Sequence, residues 1–340
     1  MREQNTEEIF RFLHPGDNKK LLNMKGDELQ DLMYYLNNHL LTLRETLGLK
    51  KDITFGMELE YEHVNNREGI INELRRNHLD SSWDIKGDGS LGCNGGEISS
   101  PILKDCQNHW VNLSKVCKIL SRHALIDTKS GGHIHIGANI FGGDSQSLLN
   151  FLKIWSVYEN IIFRFTYGNF LTPRESQRRY APSMYKEFLD VVDDYDDMTV
   201  GINRVLNRIN NDKYQAVNFK HVNDFSEYGN YNTVEFRCPN GTLDPVIWQN
   251  NLNLFVKLIQ YSKRDDFNND LINERRKINE DFVESDNDFT KIYLRQALEL
   301  ADLIFFNNAD KIYFLRQYLK NYQCGDKEFE RAKPFTKTFR

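Results

Sequence analysis

Alternating apolar and polar residues mark out several short strands along this chain. In residues 55–62 (FGMELEYE) the odd positions are apolar, and the even positions 58, 60 and 62 are all glutamate. Because successive side chains of a strand point to opposite faces of a sheet, this segment predicts one buried face and one face that carries carboxylates. Residues 132–137 (GHIHIG) alternate in the same way, with histidines in place of the glutamates.

Two further segments extend the same plan. In residues 233–238 (TVEFRC) the even positions are apolar, while Glu235 and Arg237 lie on the opposite face. A glycine-rich turn at 88–96 leads into a short strand that carries Glu97. The four segments together predict a sheet with an apolar back and an ionisable front.

Apolar residues spaced three and four apart predict helices in the rest of the chain. These predicted helices cover 105–126, 144–168, 244–263, 288–305 and 309–322. The same spacing from Leu29 to Leu47 predicts one long helix that ends near Gly48. The charged stretch 264–287 is poor in apolar residues and predicts a short helix or a mobile connector.

Composition narrows the class of protein. The 340 residues are 40% hydrophobic and 27% charged, with a net charge of -5, which is typical of a globular chain and argues against general nucleic-acid binding. No run of about 18 apolar residues predicts a membrane span, and the first twenty residues do not resemble a signal peptide. The five cysteines contain no CxxC pair, so we expect reduced thiols and a cytoplasmic location.

The predicted front of the sheet carries an unusual set of side chains. It contains four glutamates, two histidines and an arginine but no lysine: Glu58, Glu60, Glu97, Glu235, His133, His135 and Arg237. On a concave face these carboxylates would repel one another, and desolvating each would cost several kcal/mol. Divalent cations would offset that cost, and oxygen ligands with occasional imidazole suit Mg²⁺ or Mn²⁺. Paired metals with a nearby arginine are a recurring device for phosphoryl transfer.

Each motif alone also has a simpler interpretation. A single ExE on a strand is usually a solvated edge, and a single HxH could belong to a cupin iron site, although the downstream ligands of that site are missing after Gly137. The glycine-rich DGSLG is more often only a turn. It is the combination on one predicted face that favours a metal-dependent site.

The matching segments occur in an order known from one family. FGMELEYE (55–62), DGSLG…GGEISSP (88–101), GGHIHIG (131–137), KYQAVNF (213–219) and TVEFRCPNGTLDP (233–245) resemble the amidoligases. These are carboxylate–amine ligases of the superfamily that includes glutamine synthetase and glutamate–cysteine ligase. The resemblance implies an α+β fold, in which a curved antiparallel sheet of the glutamine synthetase-like catalytic type has helices packed behind it. We accordingly divide the chain into a helical N-terminal extension (1–50), a catalytic domain (51–264) and a helical C-terminal extension (265–340) packed on it.

The resemblance also implies roles for individual residues. Glu58 and Glu60 would bind two different Mg²⁺ ions, Glu97 would join the ion of Glu60, and Glu235 with His133 would join the ion of Glu58. Arg237 would bind the phosphates, and His135 would lie near the nucleotide. Arg178 or Arg179 would hold an acidic substrate or phosphate. Lys213 and Asn218 lie in a further matching segment and are candidates for binding the nucleotide.

The activity implied is an ATP- and Mg²⁺-dependent ligation. A carboxylate is phosphorylated by ATP, and an amine then displaces phosphate from the acyl phosphate to form an amide. The substrates would be small molecules or peptides that carry a carboxylate and an amine, and self-association stays open. Two alternatives use the same residues: a metal-dependent phosphohydrolase or nucleotide hydrolase, and a catalytically silent binding protein of the same fold.

Overall fold

The computed structural model describes residues 14, 16–38, 41–91, 94–127, 129–196, 198–209, 212–223, 225, 232–283 and 292–320, with the backbone alone for 278–283. Its strands are β1 (Phe55–Tyr61), β2 (Asp84–Gly87), β3 (Gly96–Ser99), β4 (Gly132–Gly137), β5 (Val217–Asn218) and β6 (Thr233–Phe236). They form one antiparallel sheet in the order β2-β3-β1-β4-β6-β5. Within the described residues the sheet is open, and the predicted mixture of helices with an antiparallel sheet is confirmed.

The register of the strands brings the polar positions into rows. Glu58 on β1 lies opposite His133 on β4, and Glu60 lies opposite Glu97 on β3. His135 lies opposite Glu235 on β6. Since side chains opposite each other on adjacent strands share a face, the ionisable positions of four strands face the same side of the sheet.

Aromatic residues cover the back of the sheet. Helices α3 (Gln107–His123), α4 (Ser145–Thr166) and α8 (Pro245–Ser262) supply most of this cover. The ring of Phe236 stacks on Phe255 of α8 with centroids 4.1 Å apart, and its centroid lies 5.8 Å from that of Trp155 on α4. Phe55 stacks on Trp110 of α3 at 5.3 Å. The strands that carry the polar front are therefore held in place from behind by close-packed rings.

The remaining helices surround this core. They are α1 (Gly26–Asn38), α2 (Arg67–Arg76), α5 (Gln177–Tyr180), α6 (Tyr185–Tyr195), α7 (Ile202–Arg208), α9 (Asn269–Val283), α10 (Leu294–Ile304) and α11 (Asn308–Leu319). Local sequence explains where the helices of the core begin. Asp144 caps α4 by accepting from the backbone N–H groups of Gln146 and Ser147, and Asp244 caps α8 ahead of Pro245 at its first position.

The C-terminal helices share the core of the sheet domain. Tyr158 of α4 donates a hydrogen bond of 2.6 Å to Glu299 of α10, and the rings of Phe165 and Phe314 stack at 5.1 Å. The boundaries proposed at residues 50 and 264 stay a prediction.

One predicted helix is wrong in its second half. Helix α1 ends at Asn38, and residues 41–50 form no helix. The backbone N–H groups of Leu47 and Leu49 donate to the Asp105 carboxylate, and the N–H of Arg44 donates to Gln249. These tertiary hydrogen bonds satisfy the backbone in an extended form, so the leucine spacing there does not produce a helix. The charged stretch after residue 264 does contain a helix, α9.

In the described part of the chain, no helix combines the length and the apolar character that crossing a bilayer requires.

Candidate active site

The polar side chains of the sheet front meet around His133. Its Nδ1 lies 2.9 Å from Glu58 Oε2 and 3.7 Å from Glu235 Oε1, and its Nε2 lies 3.3 Å from Glu60 Oε1. His135 Nε2 lies 3.2 Å from Glu58 Oε1 and 3.9 Å from Glu235 Oε1. These distances show that the side chains, which come from separate strands, lie close together on one face of the sheet, as the sequence predicts.

The electrostatics of the cluster depend on its imidazoles and on burial. Burial raises the pKa of Glu58, but hydrogen bonding to His133 and His135 outweighs it and holds the pKa far below the usual range. Burial likewise opposes ionisation of Glu235, and its pKa is nevertheless lowered by the charges of His135, His133 and Arg237. Burial, followed by the charge of Glu58, raises the pKa of Glu97. The carboxylates closest to the imidazoles are therefore favoured in their ionised form, whereas burial disfavours ionisation of Glu97.

The ligand atoms of the cluster suit a metal ion. Glu58, Glu97 and His133 form one group whose ligand atoms lie within 4.8 Å of one another, and Glu58, His135 and Glu235 form a second. The Nε2 atoms of both histidines are buried, and they lie 3.3 Å from Glu60 Oε1 and 3.2 Å from Glu58 Oε1, so each faces a carboxylate with which it could share a metal ion. Carboxylates with imidazole form a donor set that accepts Mg²⁺ or Mn²⁺.

Glu60 contacts the backbone of Gly131 and the side chain of Arg174. One of its oxygens accepts a short hydrogen bond from the backbone N–H of Gly131 and lies 3.8 Å from Arg174 Nη1. Glu60 belongs to neither of the two groups of ligand atoms, and its role as a metal ligand stays a prediction. His135 belongs to the second group, and its place near the nucleotide likewise stays a prediction.

Two pockets adjoin the cluster and share Glu58. The first, called here the Ile102 pocket, has a volume of about 450 Å³ and includes Ser100, Ile102, His135 and His221 in its lining. Among the residues that the structure describes, no lysine or arginine lines it. Its walls are therefore close to neutral apart from Glu58 and the histidines.

The second pocket, called here the Arg174 cleft, is much more highly charged. It has a volume of about 500 Å³ and is lined by five carboxylates, five cations and several neutral residues. The cations are Lys129, Arg174, Arg179, Lys213 and Arg237; the carboxylates are Glu58, Glu60, Asp88, Glu97 and Glu175. The cluster around His133 thus separates a neutral pocket from a polar cleft.

The remaining candidates from the sequence are placed around this cleft. Arg237 forms a close ion pair with Glu235 and lines the cleft. Asn218 is buried and donates a hydrogen bond of 2.9 Å to Glu235, so it holds that carboxylate rather than facing the cleft. Lys213 and Arg179 are exposed at the rim, whereas the exposed Arg178 is absent from the lining of both pockets.

Arg174 is a site residue that the sequence does not reveal. It is 4% exposed, its Nη2 donates to the carbonyl oxygen of Arg237, and its Nε has no hydrogen-bond partner. It lies between α4 and α5 in a stretch with no strand or helix periodicity, so no pattern points to it. The only trace in the sequence is Gly131: a Cβ atom there would come within 1.2 Å of Arg174 Nη1.

The stability of the metal-free protein should depend on pH through His135. The pKa of His135 is raised, because the carboxylates of Glu58 and Glu235 outweigh the effect of burial. The stabilisation is complete below the unfolded pKa of about 6.5 and is lost as the pH rises through the folded pKa. In urea titrations with a chelator, the free energy of unfolding of the wild type should fall relative to that of His135→Gln as the pH rises above about 6.5. Parallel curves for the two proteins would contradict this assignment.

With the geometry established, comparison with known proteins gives the family. Residues 70–259 match the family model described as "putative amidoligase enzyme", which covers more than half of the chain. The chain therefore belongs to the amidoligase family. The matched region contains Glu97, His133, Arg174, Glu235 and Arg237, while Glu58 and Glu60 lie before it and join the site through the pairing of β1 with β3 and β4. No curated protein matches the sequence.

Proposed function

We propose that this chain is an ATP- and Mg²⁺-dependent ligase that joins a carboxylate to an amine through an acyl phosphate. The observation that carries the proposal is the position of the candidate metal ligands, which lie at the junction of the Ile102 pocket and the Arg174 cleft. A site for phosphoryl transfer between two substrates needs this arrangement, because donor and acceptor must approach one centre from different sides. The open antiparallel sheet with helices behind it also supports a glutamine synthetase-like type of fold.

The two pockets differ in the charge of their lining residues, and the two substrates of such a ligase differ in charge as well. The Ile102 pocket has neutral walls and suits the base and ribose of a nucleotide, whose charge is confined to its phosphates. The Arg174 cleft has five carboxylates as well as five cations in its lining, and it suits an anionic acid when divalent ions offset the carboxylates. Bound divalent ions would screen the negative charges of the phosphates and of the acid. Glu58, Glu97, His133, His135 and Glu235 would hold those ions.

The chain itself contributes position and charge. The ion pair with Glu235 holds the planar guanidinium of Arg237 at the edge of the cluster. There it stabilises the negative charge on the phosphoryl group during its transfer. The substrate carboxylate attacks the γ-phosphorus, and ADP leaves with the bridging oxygen. The amine then attacks the acyl carbon, the carbon–oxygen bond to the phosphate breaks, inorganic phosphate leaves with the former carboxylate oxygen, and the nitrogen loses a proton to solvent. The enzyme needs no covalent nucleophile for this sequence of steps.

The test measures ADP release with and without pooled acids and amines, followed by mass spectrometry of the products. A ligase should release ADP quickly only when both an acid and an amine are present, and a product should appear with the mass of the two minus water. ADP release at full rate without either acceptor would identify a hydrolase instead. Nucleotide binding without any turnover would identify a silent binding protein.

Arg237→Lys should reduce this turnover about tenfold or more. A lysine supplies a point charge, which cannot reproduce the two parallel contacts of a guanidinium with phosphoryl oxygens. The change should appear in kcat for ADP release rather than in unfolding. Arg76→Lys, at an exposed position of α2, is the matched control and should keep the wild-type rate. Equal rates for Arg237→Lys and wild type would remove Arg237 from the phosphoryl site.

A further inference from the structure

Glu62 is the third glutamate of the segment 55–62, and neither the cluster around His133 nor its two pockets include it. It lies one residue beyond the end of β1, and only 6% of it is exposed. Its Oε1 accepts hydrogen bonds from the hydroxyl of Ser130 at 2.8 Å and from the backbone N–H of Lys129 at 3.2 Å. Across the described ranges, its Oε2 accepts no hydrogen bond, and no lysine or arginine forms an ion pair with Glu62.

A carboxylate that is buried without a cation is an unusual feature. Moving an ionised carboxylate out of water costs much more free energy than two hydrogen bonds from neutral donors restore. Buried charges in proteins are therefore paired with an opposite charge or bind a metal ion. The second oxygen of Glu62 thus points to a positively charged ligand that the described chain does not supply.

Two further ligands for a metal ion lie beside Glu62. Ligand atoms of Glu62, His63 and Asp127 all lie within 4.8 Å of one another, and His63 Nε2 lies 3.0 Å from Asp127 Oδ2. Zn²⁺ bonds of about 2.0–2.2 Å place tetrahedral ligand atoms roughly 3.3–3.6 Å apart, so small side-chain rotations bring the three onto one ion. The side chains of His63 and Asp127 are 58% and 50% exposed, which leaves room for these rotations and for a water as fourth ligand.

Backbone pairing brings these three residues to one place. The backbones of Glu62 and Leu125 exchange two hydrogen bonds, of 2.8 and 2.9 Å. His63 follows Glu62 with a φ of 51°, in the left-handed region that few residues other than glycine adopt, and Asp127 follows two residues after Leu125. The position of the group is therefore determined by the end of the sheet and not by a long connecting loop.

We infer that Glu62, His63 and Asp127 form a Zn²⁺ site that is separate from the cluster around His133. Two carboxylates and one imidazole suit Zn²⁺, whereas Mg²⁺ prefers oxygen ligands alone and releases its waters reluctantly. The role of the ion is structural. It fixes the carboxylate that holds Ser130, and Ser130 is followed by Gly131, which contacts both Glu60 and Arg174.

The first experiment locates the ion on the wild-type protein through the reactivity of its histidines. The full chain is treated with diethyl pyrocarbonate in excess Mg²⁺, with and without a severalfold excess of Zn²⁺, and mass spectrometry follows each histidine. Zn²⁺ should slow modification of His63 about tenfold or more, because a nitrogen that binds the metal cannot react. His78 is also exposed and also has a positive φ, and its rate should not change. An unchanged rate at His63, or equal protection of both histidines, would overturn the inference.

The second experiment counts Zn²⁺ ions by calorimetry. His63→Asn removes a ligand, and asparagine tolerates the left-handed backbone, so this variant should bind one Zn²⁺ fewer than the wild type. His78→Asn makes the same change at the other histidine and should keep the wild-type number. Equal numbers for His63→Asn and the wild type would defeat the site.

Glu62→Gln tests the buried carboxylate itself. The amide oxygen of glutamine can still accept from Ser130, while the charge is lost. This variant should lose the same Zn²⁺ ion as His63→Asn. Wild-type Zn²⁺ affinity in Glu62→Gln would show that Glu62 is not a ligand, and the three-residue site would be wrong.

The site stands or falls independently of the proposed ligase. In a Glu235→Gln background, which weakens the cluster around His133, the difference of one Zn²⁺ between chains with and without His63→Asn should persist. Disappearance of that difference would assign the ion to the cluster instead. Neither measurement requires turnover, so a protein without ligase activity would still give the same result.

Discussion

Replacing Glu235 by glutamine is expected to reduce ATP-dependent turnover to background and Mn²⁺ affinity by about 100-fold or more. Loss of a group that merely supports a metal ligand commonly costs about 10–100-fold in affinity, and Glu235 is itself a candidate ligand beside Glu58 and His135. Calorimetry with Mn²⁺ and an assay of ADP release measure the two effects separately.

The same variant should remain folded. Glutamine has the shape of glutamate, and its carbonyl oxygen can still accept the hydrogen bond from Asn218. The metal-free variant should therefore keep a single cooperative unfolding transition in urea. Glu68→Gln, at an exposed position in the first turn of α2, is the matched control and should bind Mn²⁺ normally. Normal turnover and normal Mn²⁺ affinity in Glu235→Gln would remove this residue from the metal site.

Gly131→Ala should have the second large effect, although alanine adds only one methyl group. The new Cβ would lie 1.2 Å from Arg174 Nη1 and 3.0 Å from Glu60 Oε2, so the guanidinium must leave its place. The N–H of Gly131 also donates to Glu60, and moving the backbone would disturb that hydrogen bond as well. We expect turnover to fall about 100-fold, as positioning errors of about 1 Å commonly cause.

A double-mutant cycle shows whether the damage passes through Arg174. In an Arg174→Ala background the clash is absent, so Gly131→Ala should add little to the loss already caused by removing the arginine. Gly143→Ala is the control, because a Cβ there would meet no atom within 4 Å. Additive losses from Gly131→Ala and Arg174→Ala would show that the glycine acts on something other than Arg174.

The parts of the site that sequence can predict are those that follow a local repeat. Glu58, His133 and Glu235 lie on strands whose two-residue alternation determines which face each side chain occupies. The antiparallel pairing of β1 with β4 and of β4 with β6 then brings these side chains close together. The apolar residues that alternate with these ionisable residues predict the buried back of the sheet equally well.

The parts that sequence does not predict depend on tertiary contacts. Arg174 lies in an irregular segment, and its role follows from the close approach to Gly131, which no spacing encodes. The same limit explains the overlong N-terminal helix, since the hydrogen bonds from Leu47 and Leu49 to Asp105 join residues more than fifty positions apart. Likewise, only the structure shows that Arg179 and not Arg178 lines the Arg174 cleft, because adjacent arginines in a short helix have no distinguishing pattern.

The candidate metal ligands and the rim cations are carried by different kinds of backbone. Glu58, His133 and Glu235 occupy strands, where inserting one residue would turn a row of side chains to the wrong face. Arg179 lies in the four-residue helix α5, and Lys213 lies in a turn. Such segments tolerate changes of length and sequence far better than strands do. Changes of length or sequence in these two segments should therefore leave the row of candidate metal ligands on the strands intact.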